Sequence, residues 1–236
     1  MKTVQNLKTV EWITKHLEQH KDDRPFCLKN FLPSIFEYYI VKLWTPGIID
    51  SFPFEEYIID PDDIDRIEKN LALLKKHNLL VHRWDNESIF RITNFQELSK
   101  RFNKIYNLHI PKTLDWSKPG IRHLWNKTRD NICEIIKSIS PNTHLNLFVS
   151  DMWKWDSSVN GVVLYTLTIE EYHKFMDETQ YDSSSYLFPD DLSYCLLNFK
   201  DLAYSIIAFN ENIHKIIIDL NLIDSFEINP DFILSE

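Results

Sequence analysis

Residues 192–232 hold two short runs of aromatic and branched residues, a four-residue break, and then an apolar stripe at helical spacing. No other feature limits the possible folds as much. Residues 192–198 and 203–209 read as strands, with 199–202 as the loop of a hairpin. Tyr204, Ile206 and Ala208 fall on one face of the second run, and Ser205, Ile207 and Phe209 on the other. Neither face is strongly polar, so the sheet must be covered on both sides. Asn210 stands at a helix N-cap position with Glu211 in the positively polarised first turn. Ile213, Ile216, Ile217 and Leu220 then form one stripe, and the helix is expected to pack on the sheet.

Upstream, residues 4–20 allow an amphipathic helix through Leu7, Val10, Trp12 or Ile13, and Leu17. The aromatic stretch 26–44 reads as a strand over 37–44, and Pro46, Gly47 and Pro53 mark a loop after it. A helix is expected from Asp60 as N-cap and Pro61 as first helical residue, with Ile64, Ile67, Leu71 and Leu74 inward and Asn78 as its stop. A second opens at a Thr93–Gln96 capping box and carries Phe95, Leu98 and Phe102, and a third spans 121–139. Strands follow at 145–149 and 161–165. A Thr168–Glu171 capping box then opens a helix through Tyr172 and Phe175, and 181–186 reads as a polar loop. The fold class is α+β, a mixed or antiparallel sheet with helices packed on it and a helical N-terminal half. One domain over 1–236 is the expectation; the alternative is a mainly helical part, 1–140, and an α+β part, 141–236.

Composition narrows the function. The chain has three glycines, Gly47, Gly120 and Gly161, too dispersed for a phosphate-cradling loop or a dinucleotide fingerprint. Its net charge of −9, with no concentrated basic stripe, argues against nucleic acid; it suits a basic protein partner and is also what ordinary solubility requires. Cys27, Cys133 and Cys195 show no CxxC spacing; Cys133 and Cys195 lie in apolar segments and are expected as buried thiols. No apolar run reaches 18 residues and the first ten residues do not resemble a leader, so the expectation is a cytoplasmic protein with no membrane partner.

Chemistry-bearing clusters have plain structural readings. His16 and His20 share a helix face at zinc-ligand spacing, but Glu18 is misplaced for a metalloprotease and no third ligand is indicated. The carboxylates at 60–65 lack the glycine and the final glutamate of a calcium loop and read as a helix N-terminus. Asp201 with Glu227 has no implied proximity, and Glu170 and Glu171 splay apart on a helix. No GxSxG elbow accompanies His144, His173 or His214. No catalytic residue, metal or cofactor is expected. The segment 151–161 differs: Trp153 and Trp155 alternate with acids and fall on one side of an extended chain. Asp151, Trp153, Trp155 and Asp156 are the expected partner-binding residues, the tryptophans as anchors and the acids for Arg or Lys; the alternative is that both tryptophans pack under the loop as core.

Leu32-Pro33 followed by Phe36, Glu37, Tyr38 and Tyr39, the helix start at Phe95–Leu98, and the ending from Pro189 through Tyr194, Asp201-Leu202 and Phe226-Glu227 carry a resemblance. They are similar to an uncharacterised family of small soluble bacterial proteins that open on an LP…F(E/D)xY pattern and end in a hairpin and a helix. Tyr194 or Ser193 stands where that family has Trp, and Phe209-Asn210 replaces its Gly-Ser. The resemblance implies no known activity. Its architecture looks like that of immunity proteins that guard bacteria against toxins, an analogy at the level of fold. The expected function is therefore a protein-binding module, an immunity-type inhibitor occluding the active face of a basic toxin. The alternatives are a subunit of a bacterial defence or regulatory complex and an enzyme with a non-standard hydrolase or transferase site.

Overall fold

The computed structural model describes residues 1–4, 7–58, 60, 62–79, 87–106, 120–140, 144–149, 163–179, 184–199, 202 and 204–235. In chain order the elements begin with β1 (Lys2–Val4), α1 (Glu11–His20), β2 (Phe26–Cys27), α2 (Leu28–Phe31) and β3 (Tyr38–Leu43). There follow β4 (Pro46–Ile48), α3 (Arg66–Lys76), β5 (Arg91–Ile92), α4 (Phe95–Tyr106) and β6 (Ile121–His123). The chain continues with α5 (Trp125–Ile139), β7 (Leu145–Val149), β8 (Val163–Leu167), α6 (Ile169–Thr179) and β9 (Ser185–Pro189). It closes with β10 (Tyr194–Asn198), β11 (Tyr204–Phe209), α7 (Glu211–Asp219), β12 (Ser225–Ile228) and β13 (Ile233–Ser235). Two compact units result: Met1–Leu43 together with Asn126–Glu236, and Trp44–Trp125, inserted between β3 and α5.

The first unit is built on one antiparallel sheet in the order β1-β8-β7-β9-β10-β11-β3-β12. Register puts Tyr194, Leu196 and Asn198 beside Phe209, Ile207 and Ser205, and these beside Tyr38, Ile40 and Lys42, all on one face. Tyr172 of α6 reaches Asn198 on that face, and His214 of α7 stacks on Tyr38 and Phe209. The opposite face carries Cys195, Leu197, Tyr186 and Phe188. There Trp12 of α1 meets Phe188 edge-on at 5.2 Å, and the Tyr186 hydroxyl donates to the Phe31 carbonyl of α2. Phe232 from the tail meets Tyr204 and Phe226. Every residue of β9, β10 and β11 is buried, which is how strands without a polar face must end up. Each large aliphatic or aromatic side chain so buried contributes about 1.5–3 kcal/mol before entropy is counted.

The second unit centres on β4, which is flanked by β5 and β6. Gly47 allows the close approach: a Cβ there would lie 2.7 Å from Leu124 and 2.9 Å from Phe90. Gly120 leads into β6 at φ 74°, where a Cβ would also strike Phe52 at 2.5 Å. Arg91 of β5 forks onto Asp50 with N–O distances of 2.6 and 2.9 Å and reaches Glu97 of α4 at 2.8 Å. Both carboxyls are held below their usual range by these hydrogen bonds. In α3 the Asn70 amide brackets the backbone of Ile58, accepting at 2.9 Å and donating at 2.8 Å, and Leu74 is buried.

Several local expectations are corrected. Residues 2–4 pair with β8 as an edge strand, and the first helix begins at Glu11. Pro46–Ile48 is a strand, since its backbone bonds to β5 and β6. The third helix starts at Trp125, after the strand Ile121–His123. Ser185 and Tyr186 belong to buried β9, where Ser185 pairs with Asn198. The cap of α4 is Asn94, whose Oδ1 accepts from the Glu97 N–H, one residue past the expected pair. The helix of the 60–78 stretch starts at Arg66, and Ile64, Ile67 and Leu71 are 96%, 67% and 53% exposed. Asn78 does stop it, at φ 57°. The Thr168–Glu171 capping box is present in both directions, at 3.3 and 2.9 Å. Among the described residues no helix is long and apolar enough to cross a membrane.

Candidate protein-docking face

Asn210 leads into α7 in an extended conformation, φ −95° and ψ 168°, yet its side chain makes no capping bond. Its N–H is taken by the Ser193 carbonyl. The cap comes from another strand: Glu37, just ahead of β3, accepts the Glu211 N–H on Oε2 at 2.9 Å, while its own N–H donates to the Phe209 carbonyl. The β3–β11 register sets Tyr38 opposite Phe209, with rings 5.8 Å apart and 15° from parallel. One turn into α7, His214 lies against the Tyr38 ring at 4.0 Å and 9°. The Tyr38 hydroxyl donates to Glu211. Glu227 joins from β12, whose register with Ile40 places it on the same face as Tyr38.

The electrostatics follow from this crowding of carboxylates. The Tyr38 phenol is pushed above its usual range, first by its bond to Glu211, then by desolvation, then by the charges of Glu211, Glu37 and Glu227. All three glutamates are exposed, and none forms an ion pair with Lys or Arg among the described residues. Helical spacing sets Ile218, 59% exposed, on the same side of α7 as Glu211 and His214, with Lys215 at the margin. The result is an aromatic pair ringed by uncompensated negative charge with an apolar shoulder. Its chemistry is that of a receptor for a guanidinium or ammonium group, through carboxylate bonds and the ring face.

Other polar arrangements are occupied with holding the fold. Lys42, Ser205, Asn198 and Ser185 stand side by side across β3, β11, β10 and β9. Ser205 donates to the Asn198 amide oxygen, and the amide nitrogen donates to the Tyr172 oxygen at 3.0 Å. Lys42 donates to the Leu43 carbonyl at 2.8 Å, and burial lowers its pKa against the opposing pull of Asp224. Burial raises the Cys133 thiol to about 12 and pushes Cys195 up as well, so both stay protonated. His16 bonds the Lys29 carbonyl at 2.7 Å and His20 bonds Asp23 at 2.7 Å, so the two do not converge on one ligand. Asp60 and Asp63 fold back on the N–H groups of Asp62 and Asp65 in turns ahead of α3. No group of three or more metal-binding side chains is present among the described residues.

Asp151, Trp153, Trp155 and Asp156 lie outside the described residues, as does Asp201. Glu171 is engaged in capping α6 and in binding the N-terminal ammonium of Met1. The face built on Tyr38 escaped sequence reading because Tyr38 and Glu211 are 173 residues apart and meet only through the β3–β11 pairing. The available signal was an acid and an aromatic at a strand entrance, Glu37-Tyr38, and an acid opening a helix, Glu211. No family model, no curated protein and no solved structure matches this chain.

Proposed function

We propose that this chain is a protein-binding module of the immunity type, which docks on a basic, toxin-like protein and covers its active face. The observation that carries the reading is the stacked Tyr38–His214 pair surrounded by Glu37, Glu211 and Glu227 with no matching cation among the described residues. A cationic side chain seated over such a ring gains about 0.5–2 kcal/mol, and carboxylates around it add charge-assisted bonds. The net charge of −9 speeds encounter with a basic partner at low salt. Register and the Glu37 cap fix these groups before binding, so little ordering entropy is lost. The bacterial immunity reading rests further on the resemblance of the Leu32–Tyr39 stretch and of the hairpin–helix ending.

The experiment is affinity capture from the native host, followed by titration of the captured protein against wild type and a Glu227→Arg variant. One basic protein should bind at equal stoichiometry. Its dissociation constant should rise about tenfold with the substitution, the loss of one charge-assisted contact, and rise again with added salt. A bait that captures nothing, or a partner indifferent to both changes, removes the proposal.

A further inference from the structure

We infer that a second copy of this chain covers the exposed flank of α3, making a weak antiparallel helix pair, independently of the partner proposed above. Ile67 and Leu71, 67% and 53% exposed, lie four residues apart on one flank of α3, and Ile64, 96% exposed, stands in the turn just ahead of it. Asn70 and Leu74 are the side chains that face the interior of the unit, so this apolar stripe is surplus to its own core.

Charge selects the occupant. Carboxylates crowd the start of α3 (Asp60, Asp62, Asp65, Glu68) and Lys75 and Lys76 sit in its last turn. Within one copy Lys69 engages Asp63 and Asp65 at 3.2 and 3.8 Å, and Lys76 engages Glu56 at 3.5 Å. Asp62, Glu68 and Lys75 engage no opposite charge among the described residues. A twofold axis midway between Ile67 and Leu71, which exchanges the two, reverses one helix on the other. It brings Lys75 at the end of each helix to the carboxylates that open its mate's, with Asp62 among them, satisfying both ends at once. The antiparallel helix dipoles favour the same arrangement. A uniformly basic partner would match the start of α3 and oppose Lys75 and Lys76 at its end. The overall negative charge of each copy acts over distances at which salt screens it, roughly 8 Å at physiological strength, while contact pairs are screened less. Three aliphatic side chains per copy fall short of the roughly 800 Å² per partner of a standard interface, so the dimer is weak, in the micromolar range.

Sedimentation equilibrium of the full chain, from low micromolar to near-millimolar concentration, should show a reversible monomer–dimer equilibrium. Ile67→Asp, at a largely exposed position, should raise the dissociation constant at least about tenfold with an unchanged thermal melt. Lys75→Glu should also weaken the dimer, and adding Asp62→Lys to the same chain should restore it. A monomer at every concentration overturns the inference, as does a dimer indifferent to Ile67→Asp. Failure of the charge swap to restore association in a folded double variant overturns the antiparallel register. A monomer that changes mass only on adding a polycationic peptide assigns the stripe to another occupant.

Discussion

Glu37 caps α7 from the neighbouring strand, while Asn210, the residue that occupies the N-cap position, makes no such bond. Sequence reading finds cap residues by local spacing and has no access to a carboxylate arriving from 174 residues away. Glu37→Ala should therefore cost about 1 kcal/mol, read as a shift in urea midpoint, and Asn210→Ala clearly less. A second residue with a measurable consequence is His123, whose pKa is lowered to about 4 by burial, with the charge of Arg122 adding to it. In the unfolded chain that imidazole titrates near 6.5 and takes up its proton first. Its contribution is thus complete above about pH 6.5 and is lost as pH falls toward about 4, on the order of 3 kcal/mol. Thermal melts between those limits should fall more steeply for wild type than for His123→Gln.

At the scale of elements, what was legible depended on whether both sides of a segment do the same job. The hairpin β10–β11 and α7 were readable to within a residue or two because dense branched and aromatic runs mark the strands and Ile213 and Ile217 recur at helical spacing. Strand β9 was not, since the serine run leading into it signals a loop by composition while Ser185 continues a buried polar row beside Asn198. In α3 the expected stripe began too early and pointed the wrong way except at Leu74: the helix starts at Arg66, and Asn70 faces inward, its amide satisfying the Ile58 backbone, while Ile67 and Leu71 turn out. Of the candidate site, Glu37, Tyr38 and Glu211 were visible as residues and invisible as neighbours. Asn198→Leu should leave the buried Tyr172 hydroxyl without its bond and cost about 1–3 kcal/mol, measured by denaturant unfolding. Ser205→Ala, which leaves the Asn198–Tyr172 bond in place, should cost less.

For the chain as a whole, protection should follow the sheet. Amides of β10 and β11, inside an eight-stranded sheet and buried along their whole length, should exchange at least about a hundredfold more slowly than those of α3. Comparable rates in the two would mean that the chain opens as one cooperative body. The order of strands carries a further consequence. Both neighbours of β3, β11 and β12, are written near the other end of the chain, after the inserted unit and four further strands, β7 to β10. At about 5–20 residues per second of translation, β3 leaves the ribosome roughly ten to thirty seconds before β11 exists. During that interval an apolar strand with two open edges is what a chaperone or another nascent chain would meet. A ribosome that stalls short of β11 releases a polypeptide that cannot complete its sheet, so its dosage in the cell is tied to finished synthesis.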